Sequence, residues 1–337
     1  MIVQALSAVY GAAATWRRRW YAAPSRARRL GQPVISVGNL RVGGSGKTPV
    51  VACLARLLLA RGERPVILSR GYARQVASAG VTVVSDRERV LTDVAHAGDE
   101  PMLLARTLPG VPVLVCADRY EAGRLAESRF AATVHILDDG FQHVKLARDL
   151  DLLLADQQDL DDRVLPAGRL REPLTNAVAA DAVLVPTASA DSARTIGERL
   201  GVAQVFTTTR TLGLPQALTP GAAPPGAGAR VLAVAGIARP ERFFDDLRAA
   251  GFSVADTLIF RDHHRFDTAD VARIAASAQA CGAVAVLTTE KDAVRLEGLA
   301  LTGVPFAAVP LHTAIEPADA FAEWVSTRVA RARAELG

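Results

Sequence analysis

The feature that most constrains this chain is a glycine-rich loop placed between an apolar segment and a helix-like segment. Residues 33–40 are mainly apolar, and residues 41–48 then read Arg-Val-Gly-Gly-Ser-Gly-Lys-Thr. Glycines let backbone N–H groups point at phosphate oxygens, a lysine reaches the β- and γ-phosphates, and a threonine hydroxyl holds Mg²⁺. Apolar residues recur at helical spacing after Pro49, and proline suits the first helical position, so we expect the helix to open there. The order of strand, loop and helix predicts a P-loop.

We assign phosphate binding to the whole loop and Mg²⁺ binding to its last residue. The phosphate-binding residues are Arg41, Val42, Gly43, Gly44, Ser45, Gly46, Lys47 and Thr48, and the metal ligand among them is Thr48. The usual pattern has a glycine where this chain has Arg41, and we expect Gly43 and Gly44 to supply the flexibility instead. Of 39 basic residues, the lysines are Lys47, Lys145 and Lys291. A compact ammonium suits a phosphate cradle better than a planar guanidinium, so the retained Lys47 supports this assignment.

The composition is that of a folded protein with two domains. The chain has 337 residues, of which 50% are hydrophobic, and this is enough to bury a large core. Cys53, Cys116 and Cys281 are odd in number and lack the spacing of metal ligands, as expected for thiols in a reducing cytosol. The sequence therefore suggests no structural zinc.

Positive charge is concentrated at the start of the chain, where no acidic residue occurs before Glu63. Residues 1–16 are mainly apolar, and residues 17–29 combine an arginine cluster with Trp20 and Tyr21. A secretory signal has its charge first, and a spanning helix needs about 20 apolar residues, so neither is favoured. We expect residues 1–30 to form a basic amphipathic helix on an anionic membrane surface. The alternatives are a helix packed on the protein's own core and, less favoured, a nucleic-acid contact.

Apolar segments alternate with helix-like segments through most of the chain. The strand-like segments of the first part are residues 65–69, 81–85, 111–116, 134–137, 150–155 and 182–186. This alternation predicts an α/β fold, with a P-loop NTPase-like, mostly parallel sheet flanked by helices, over residues 31–212. Residues 213–229 are rich in glycine and proline without periodicity and are the expected linker. We expect residues 230–337 to form a second, smaller α/β domain, whose last helix is free to pack on either domain.

Two neighbouring carboxylates, Asp138 and Asp139, follow the strand-like segment 134–137. Ligands of open parallel sheets bind beyond the carboxyl ends of the strands, so we expect both carboxylates to share a crevice with Lys47. We assign Asp138 and Asp139 as Mg²⁺ ligands, as in nucleotide hydrolases and kinases. The alternative is that Asp139 and Gly140 form a simple turn.

A second pair of candidate groups lies far apart in the sequence. Asp99 precedes an apolar helix-like segment, and a carboxylate near a helix start stays ionised, as a base that accepts a hydroxyl proton requires. Asp99 or Glu100 alternatively caps that helix, with Pro101 in the first turn. His263 and His264 point in different directions on regular structure, which disfavours a two-histidine metal site. A single histidine paired with a carboxylate across the domain cleft is preferred, with a charged surface loop as the alternative.

Two further charged segments carry weaker signals. Arg171 and Glu172 lie in an expected loop, where an arginine clamps phosphate or the segment is a solvated turn. Thr289 and Asp292 have the spacing of a helix capping box, but capping leaves Lys291 unexplained. A guanine-reading motif is rejected, because the lysine directly precedes the aspartate.

Together, these segments resemble the tetraacyldisaccharide 4'-kinases of lipid A synthesis. The matching segments are residues 36–49, 68–72, 98–101, 117–119, 136–143, 168–173, 260–264 and 289–292. They span nearly the whole chain, and the ordered set is far more specific than any one motif. The resemblance implies transfer of the γ-phosphoryl group of ATP, with Mg²⁺, to the 4'-hydroxyl of a tetraacylated glucosamine disaccharide 1-phosphate. It also implies work at the cytoplasmic face of a Gram-negative inner membrane.

The resemblance implies roles for individual residues as well. Lys47 holds the phosphates, Thr48 and one of the two neighbouring aspartates hold Mg²⁺, and Asp99 accepts the proton. The catalytic residues are Lys47, Asp99, Asp139 and His263, and the lipid or phosphate contacts are Arg119, Gln142, His143, Arg171 and Glu172. The competing hypothesis is a membrane-recruited P-loop ATPase switch with no small-molecule acceptor. Such proteins carry a second lysine where this chain has Val42, which counts against that hypothesis, and no nucleic-acid or obligate protein partner is expected.

Overall fold

The structure is a computed structural model that describes residues 1–23, 25–44, 46–72, 74–76 and 80–336. Ser45, assigned above to the phosphate loop, lies outside the described residues. The strands are β1 (Val34–Asn39), β2 (Pro65–Ser69), β3 (Thr82–Ser85), β4 (Val113–Val115), β5 (Val134–Asp138), β6 (Leu150–Leu154), β7 (Ala182–Val185), β8 (Val205–Leu212), β9 (Gln216–Ala217), β10 (Arg230–Ala235), β11 (Ser253–Ile259), β12 (Ala285–Thr289), β13 (Phe306–Val309) and β14 (Leu311–Glu316). The helices are α1 (Ile2–Tyr21), α2 (Lys47–Ala60), α3 (Val94–Ala97), α4 (Asp99–Thr107), α5 (Arg119–Phe130), α6 (Gln157–Leu160), α7 (Ala190–Leu200), α8 (Pro240–Ala249), α9 (Thr268–Ala280), α10 (Glu290–Leu296) and α11 (Ala318–Leu336), and Leu174–Ala179 form a 3₁₀ helix.

The larger sheet joins nine strands of the described chain in the order β14-β8-β7-β6-β1-β5-β2-β4-β3. The strands from β8 to β4 are parallel, and the edge strands β14 and β3 are antiparallel to their neighbours. Every residue of β1, in the middle of the sheet, is buried, because helices cover both faces. This is the predicted P-loop NTPase-like α/β fold, so that prediction is confirmed.

The helix after the phosphate loop begins earlier than predicted. Its first residue is Lys47, and Gly46 is its N-cap with a φ of 80°, in the left-handed region that glycine enters without strain. The predicted opening at Pro49 is therefore wrong, because the chain turns into the helix as soon as Gly46 allows it. Lys47 and Thr48 consequently lie in the first turn of the helix, whose positive dipole end attracts anions.

The smaller sheet has the order β11-β10-β12-β13-β9 among the described residues. Its first four strands are parallel, as the predicted second α/β domain requires. β9 lies inside the segment predicted as a linker and pairs antiparallel with β13. The physical reason is that the edge of β13 offers unpaired backbone groups, which even a two-residue strand can satisfy.

The end of the chain returns to the larger sheet. β14 pairs with β8, and Phe321, Val325 and Val329 of α11 are buried in the core cluster that also contains Ile315. Residues 311–336, which were predicted to belong to the smaller domain of residues 230–337, are thus part of the larger domain. The sequence left open which domain the last helix packs on. In the structure α11 packs on the larger domain, and its apolar face completes the core there.

The first helix has one packed face and one exposed apolar face. Gly11 is buried against Pro173, and a Cβ at position 11 would lie 3.2 Å from the Pro173 Cγ. The exposed large apolar side chains of α1 are Ile2, Val3, Leu6, Val9, Tyr10, Trp16 and Trp20. Within the described residues, no helix combines the length and apolar character needed to cross a bilayer.

Candidate active site

β1 leads into the phosphate loop at the carboxyl edge of the larger sheet. Arg41 forms an antiparallel bridge with Leu170, and the Val42 N–H donates to the Arg169 carbonyl at 2.8 Å. Gly43 and Gly46 have φ values of 100° and 80°, and apart from chain neighbours no described atom lies within 4 Å of a Cβ built on either residue. The glycines therefore permit the left-handed backbone, and the space beside them is open, as a phosphate cradle requires.

Lys47 and Arg171 converge on the same two acceptors beside the loop. The Lys47 Nζ lies 2.8 Å from the Asn39 Oδ1 and 3.3 Å from the Asp139 Oδ1. Arg171 donates to the Asn39 Oδ1 at 2.5 Å and binds both Asp139 oxygens at 2.8 Å. Burial alone would raise the pKa of Asp139, but the Arg171 hydrogen bonds and the Lys47 charge hold it well below its usual value. An ionised Asp139 therefore fixes two cations next to the phosphate loop.

The side chain of Arg41 is buried and paired with Asp156 and Asp159, the two acids of the α6 capping box. Its Nη2 lies 3.1 Å from the Asp156 Oδ2, and its Nε lies 3.3 Å from the Asp159 Oδ1. Burial raises the pKa of Asp159 to about 6. Since its guanidinium is already paired, Arg41 contributes to the loop through its backbone. Arg41, which replaces the usual glycine, thus anchors the loop to α6.

Asp138 ends β5 as a buried carboxylate. It accepts a hydrogen bond from the Ser69 Oγ at 3.1 Å. Burial raises the pKa of Asp138 to about 6, and the charges of Asp139 and Glu100 add to the rise while Lys47 opposes it. α2, which follows the phosphate loop, also packs against α4.

Asp138 and the hydroxyl of Thr48, in the first turn of α2, are oxygen ligands of the kind that Mg²⁺ prefers. A bound cation would offset the cost of burying this carboxylate. In the part of the chain that the structure describes, no group of three or more His, Cys, Asp or Glu side chains is placed to hold a metal. The residues fit Mg²⁺ that arrives with nucleotide phosphates, whose oxygens complete the shell.

Asp99 and His263 meet across the boundary between the two domains. The His263 Nδ1 lies 2.9 Å from the Asp99 Oδ2. Asp99 is the first residue of α4 and the N-cap is Gly98, so the capping alternative for Asp99 is wrong. Burial would raise the pKa of Asp99, but the His263 hydrogen bond and the charges of Arg295 and Lys291 lower it. Asp99 is therefore ionised at neutral pH.

Lys291, which capping left unexplained, belongs to the same cluster. Its Nζ lies 2.7 Å from the Glu100 Oε1 and 3.5 Å from the His263 Nε2. With the Nδ1 proton donated to Asp99, the His263 Nε2 is free to accept from this ammonium. Thr289 caps α10, as predicted, since its Oγ1 accepts from the Asp292 N–H at 3.0 Å.

Four of the predicted substrate residues carry polar atoms that are buried and unsatisfied. Among the described residues, Arg119 Nε, Gln142 Oε1, His143 Nε2 and Arg171 Nε are buried without a hydrogen-bond partner. Burial and the charges of Arg119 and Arg148 lower the pKa of His143 to about 3. Unpaired buried polar groups cost stability, so a polar ligand at this place would be favoured.

Glu172 is occupied by other side chains. Arg18 binds its two oxygens at 2.8 Å each, and Asn176 donates to it at 2.9 Å. Arg18 also stacks over the ring of Phe141, 4.0 Å from its centroid. Glu172 therefore fixes α1 to the edge of the site.

Sequence reasoning missed Asn39, Ser69 and Arg295. Asn39 and Ser69 are the last residues of β1 and β2, and a polar residue after a buried apolar run is a usable signal for such positions. Arg295 has no comparable signal, because its partner Asp99 is remote in sequence.

The site combines a phosphate loop and a carboxylate pair with a carboxylate–histidine pair contributed by both domains. These features place the protein in the class of P-loop phosphotransferases. A family model described as tetraacyldisaccharide-1-P 4'-kinase matches residues 1–330, and the chain belongs to that family. This confirms the family that the sequence motifs indicated.

Individual members of the family are similar to this chain over nearly their whole length. A tetraacyldisaccharide 4'-kinase of Geobacter metallireducens is 41% identical over 331 residues, covering 94% of this chain and 97% of the relative. One from Koribacter versatilis is 40% identical over 322 residues, covering 94% and 95%. The crystal structure of LpxK from Aquifex aeolicus in complex with ATP has a TM-score of 0.76 and 33% sequence identity, covering 98% of this chain and 100% of that one.

Proposed function

We propose that this protein is an ATP-dependent kinase that transfers the γ-phosphoryl group to the 4'-hydroxyl of a tetraacylated glucosamine disaccharide 1-phosphate. The observation that carries the proposal is the meeting of Asp99 with His263 beside the phosphate loop, in a chain of the tetraacyldisaccharide-1-P 4'-kinase family. Membership of that family favours a sugar hydroxyl over water as the acceptor.

The phosphate loop and Lys47 hold the triphosphate, with the loop N–H groups and the ammonium directed at its oxygens. Thr48 and Asp138 are the residues that would hold Mg²⁺, which when bound neutralises charge on the phosphate oxygens. Asp139 keeps Lys47 and Arg171 in place beside that charge. Most of the rate enhancement is assigned to this positioning, because phosphoryl transfer depends mainly on placement and charge neutralisation.

Asp99 accepts the proton of the sugar hydroxyl. Its low pKa keeps it ionised, and His263 holds it by one oxygen. An ionised carboxylate within hydrogen-bond reach of a hydroxyl aligns the attacking oxygen and takes its proton as the new bond forms. His263 donates its Nδ1–H to Asp99 throughout the reaction, and this hydrogen bond orients the base.

The acceptor's own phosphate is assigned to the cluster of Arg119, Gln142, His143 and Arg171. Their buried, unpaired polar atoms supply donors and an acceptor for a polar headgroup. Glu172 is given a positioning role instead, because Arg18 and Asn176 already bind its carboxylate.

The exposed apolar face of α1 is proposed to lie on an anionic membrane surface, at the cytoplasmic face of the inner membrane. Its aromatic residues and nearby arginines are the side chains that an interface favours. Deleting the helix would also remove Arg18, so a sharper test replaces Leu6 and Val9 by Glu. Binding to anionic vesicles is expected to weaken by more than about tenfold. The matched control is Val284→Glu, an equally exposed valine of the smaller domain, and equal binding of all three proteins would contradict the proposal.

The kinase proposal is tested with purified protein, Mg²⁺ and ATP labelled in the γ-phosphate, with and without the acylated disaccharide 1-phosphate. Lipid-dependent transfer of label into the organic phase is expected. Label found only in water-soluble products, with or without lipid, would contradict the kinase proposal and favour an ATPase switch.

A further inference from the structure

The guanidinium of Arg295 is buried between the two domains and bound on all sides. Its side chain is 4% exposed, and its Nε lies 3.2 Å from the Asp99 Oδ2. The same group lies 3.0 Å from the Asp292 Oδ1 and donates to the carbonyls of His264, Gly236 and Lys291. A planar guanidinium held by this many acceptors has one orientation.

Asp292 is the second carboxylate paired with Arg295 and contacts its Nη2. It is fully buried and accepts from the Gly236 N–H at 3.1 Å and from the Thr289 hydroxyl at 2.6 Å. Gly236 follows β10 and Thr289 ends β12, so the smaller sheet holds this carboxylate. A chain of hydrogen bonds and ion pairs therefore runs from the core of the smaller domain to Asp99 on the larger one.

The two groups that reach the Asp99 carboxylate bind the same oxygen. In the described part of the chain, both His263 Nδ1 and Arg295 Nε lie at Oδ2. Oδ1 is left to accept a hydrogen bond from an incoming hydroxyl. We propose that Arg295 is a positioning residue for phosphoryl transfer, which together with His263 holds Asp99 by Oδ2 so that Oδ1 faces the acceptor hydroxyl.

This inference rests on the proposed role of Asp99 as the base. The other charged or titratable groups of this cluster are Glu100 on the same helix, Lys291 on α10, and Asp262 and Tyr72, which flank His263. Arg295 is one of the positive charges that lower the pKa of Asp99, so its removal raises that pKa. The base is then protonated at higher pH, and the acid limb of the kcat/KM profile moves to higher pH.

The experiment compares Arg295→Met and Arg295→Lys with wild type. We expect Arg295→Met to lower kcat by about 100-fold, with the KM for ATP nearly unchanged, because misplacing a reacting group costs about that much. Arg295→Lys is expected to recover part of kcat, since an ammonium keeps the charge. The control is Arg328→Met, which breaks an ion pair with Asp181 at the opposite edge of the sheet and should leave kcat unchanged.

A merely structural role predicts different results. If folded Arg295→Met keeps wild-type kcat, or if its pH profile does not move, the proposal is overturned. If Arg295→Met lowers kcat equally in wild type and in an Asp99→Asn background, its effect does not pass through Asp99 and the proposal is also overturned. Should Arg295→Met not fold, Arg295→Lys carries the kcat comparisons in wild type and in the Asp99→Asn background, and Arg295→Gln carries the pH profile. Failure of wild-type protein to phosphorylate the lipid would instead overturn the proposed function.

Discussion

Replacing Lys47 is expected to remove most of the turnover while leaving the protein folded. Lys47 places its ammonium 2.8 Å from the Asn39 Oδ1 and 3.3 Å from the Asp139 Oδ1. Asp139 retains both hydrogen bonds from Arg171 when the lysine is lost, so no buried carboxylate is left unpaired. The cost therefore falls on the transition state for phosphoryl transfer.

The size of the effect follows from the number of donors lost. Removing one preorganised donor from developing charge costs about 3–4 kcal/mol, which is about 10²–10³-fold in kcat, and we expect this for Lys47→Met. Lys47→Arg is expected to be nearly as poor, because the Asn39 Oδ1 already accepts from Arg171 at 2.5 Å. A second guanidinium at that oxygen would crowd the first and repel its charge.

Initial rates of label transfer to the lipid measure the effect, and thermal unfolding shows that each variant is folded. Lys145→Met is the matched control, since Lys145 is exposed and outside the site. Either Lys47 variant keeping more than about one fifth of wild-type kcat would refute the reasoning, because a lost donor of this kind costs about 10²–10³-fold.

Three further predictions concern single residues. Asp99→Asn should lower kcat by about 10²–10⁴-fold while calorimetry finds ATP affinity unchanged, and a near-normal kcat would remove Asp99 as the base. The pKa of His143 is depressed to about 3, so its ring should stay neutral, and its NMR resonances should not titrate between about pH 5 and about pH 8. Because the unfolded histidine binds a proton that the folded one does not, His143 should make stability fall as pH drops below about 6.5; a folded-state inflection near that pH would contradict this. Arg18→Met leaves Glu172 buried without its arginine and should cost about 3–5 kcal/mol in thermal unfolding, partly recovered by adding Glu172→Gln; an unchanged Tm would contradict it.

The sequence was most informative where one local pattern decides the structure. The segment 33–48 combines a buried strand with glycines that need positive φ, and both its strand and its loop appear where predicted. Asp139 could be placed beside Lys47 because parallel strands bring their carboxyl ends to one edge. These inferences need only periodicity and topology.

Features that depend on distant pairing could not be predicted. β14 alternates exposed and partly buried residues and is strand-like only because β8 is beside it. Arg41 was predicted to contact phosphate, but its side chain pairs with Asp156 and Asp159, which lie more than 100 residues later in the chain. The contact between Arg295 and Asp99 likewise arises from the packing of α10 on α4, which no local spacing reveals.

The central claim is that the phosphate loop and Asp99 act on one substrate pair, ATP and the sugar 4'-hydroxyl. Correlated ¹H–³¹P NMR of the lipid product from wild-type protein tests it most directly. The account predicts a new phosphate ester coupled to the proton at position 4' of the distal glucosamine, formed only when ATP and Mg²⁺ are present. A phosphate at any other position, or a lipid recovered unchanged while ATP is consumed, would contradict it.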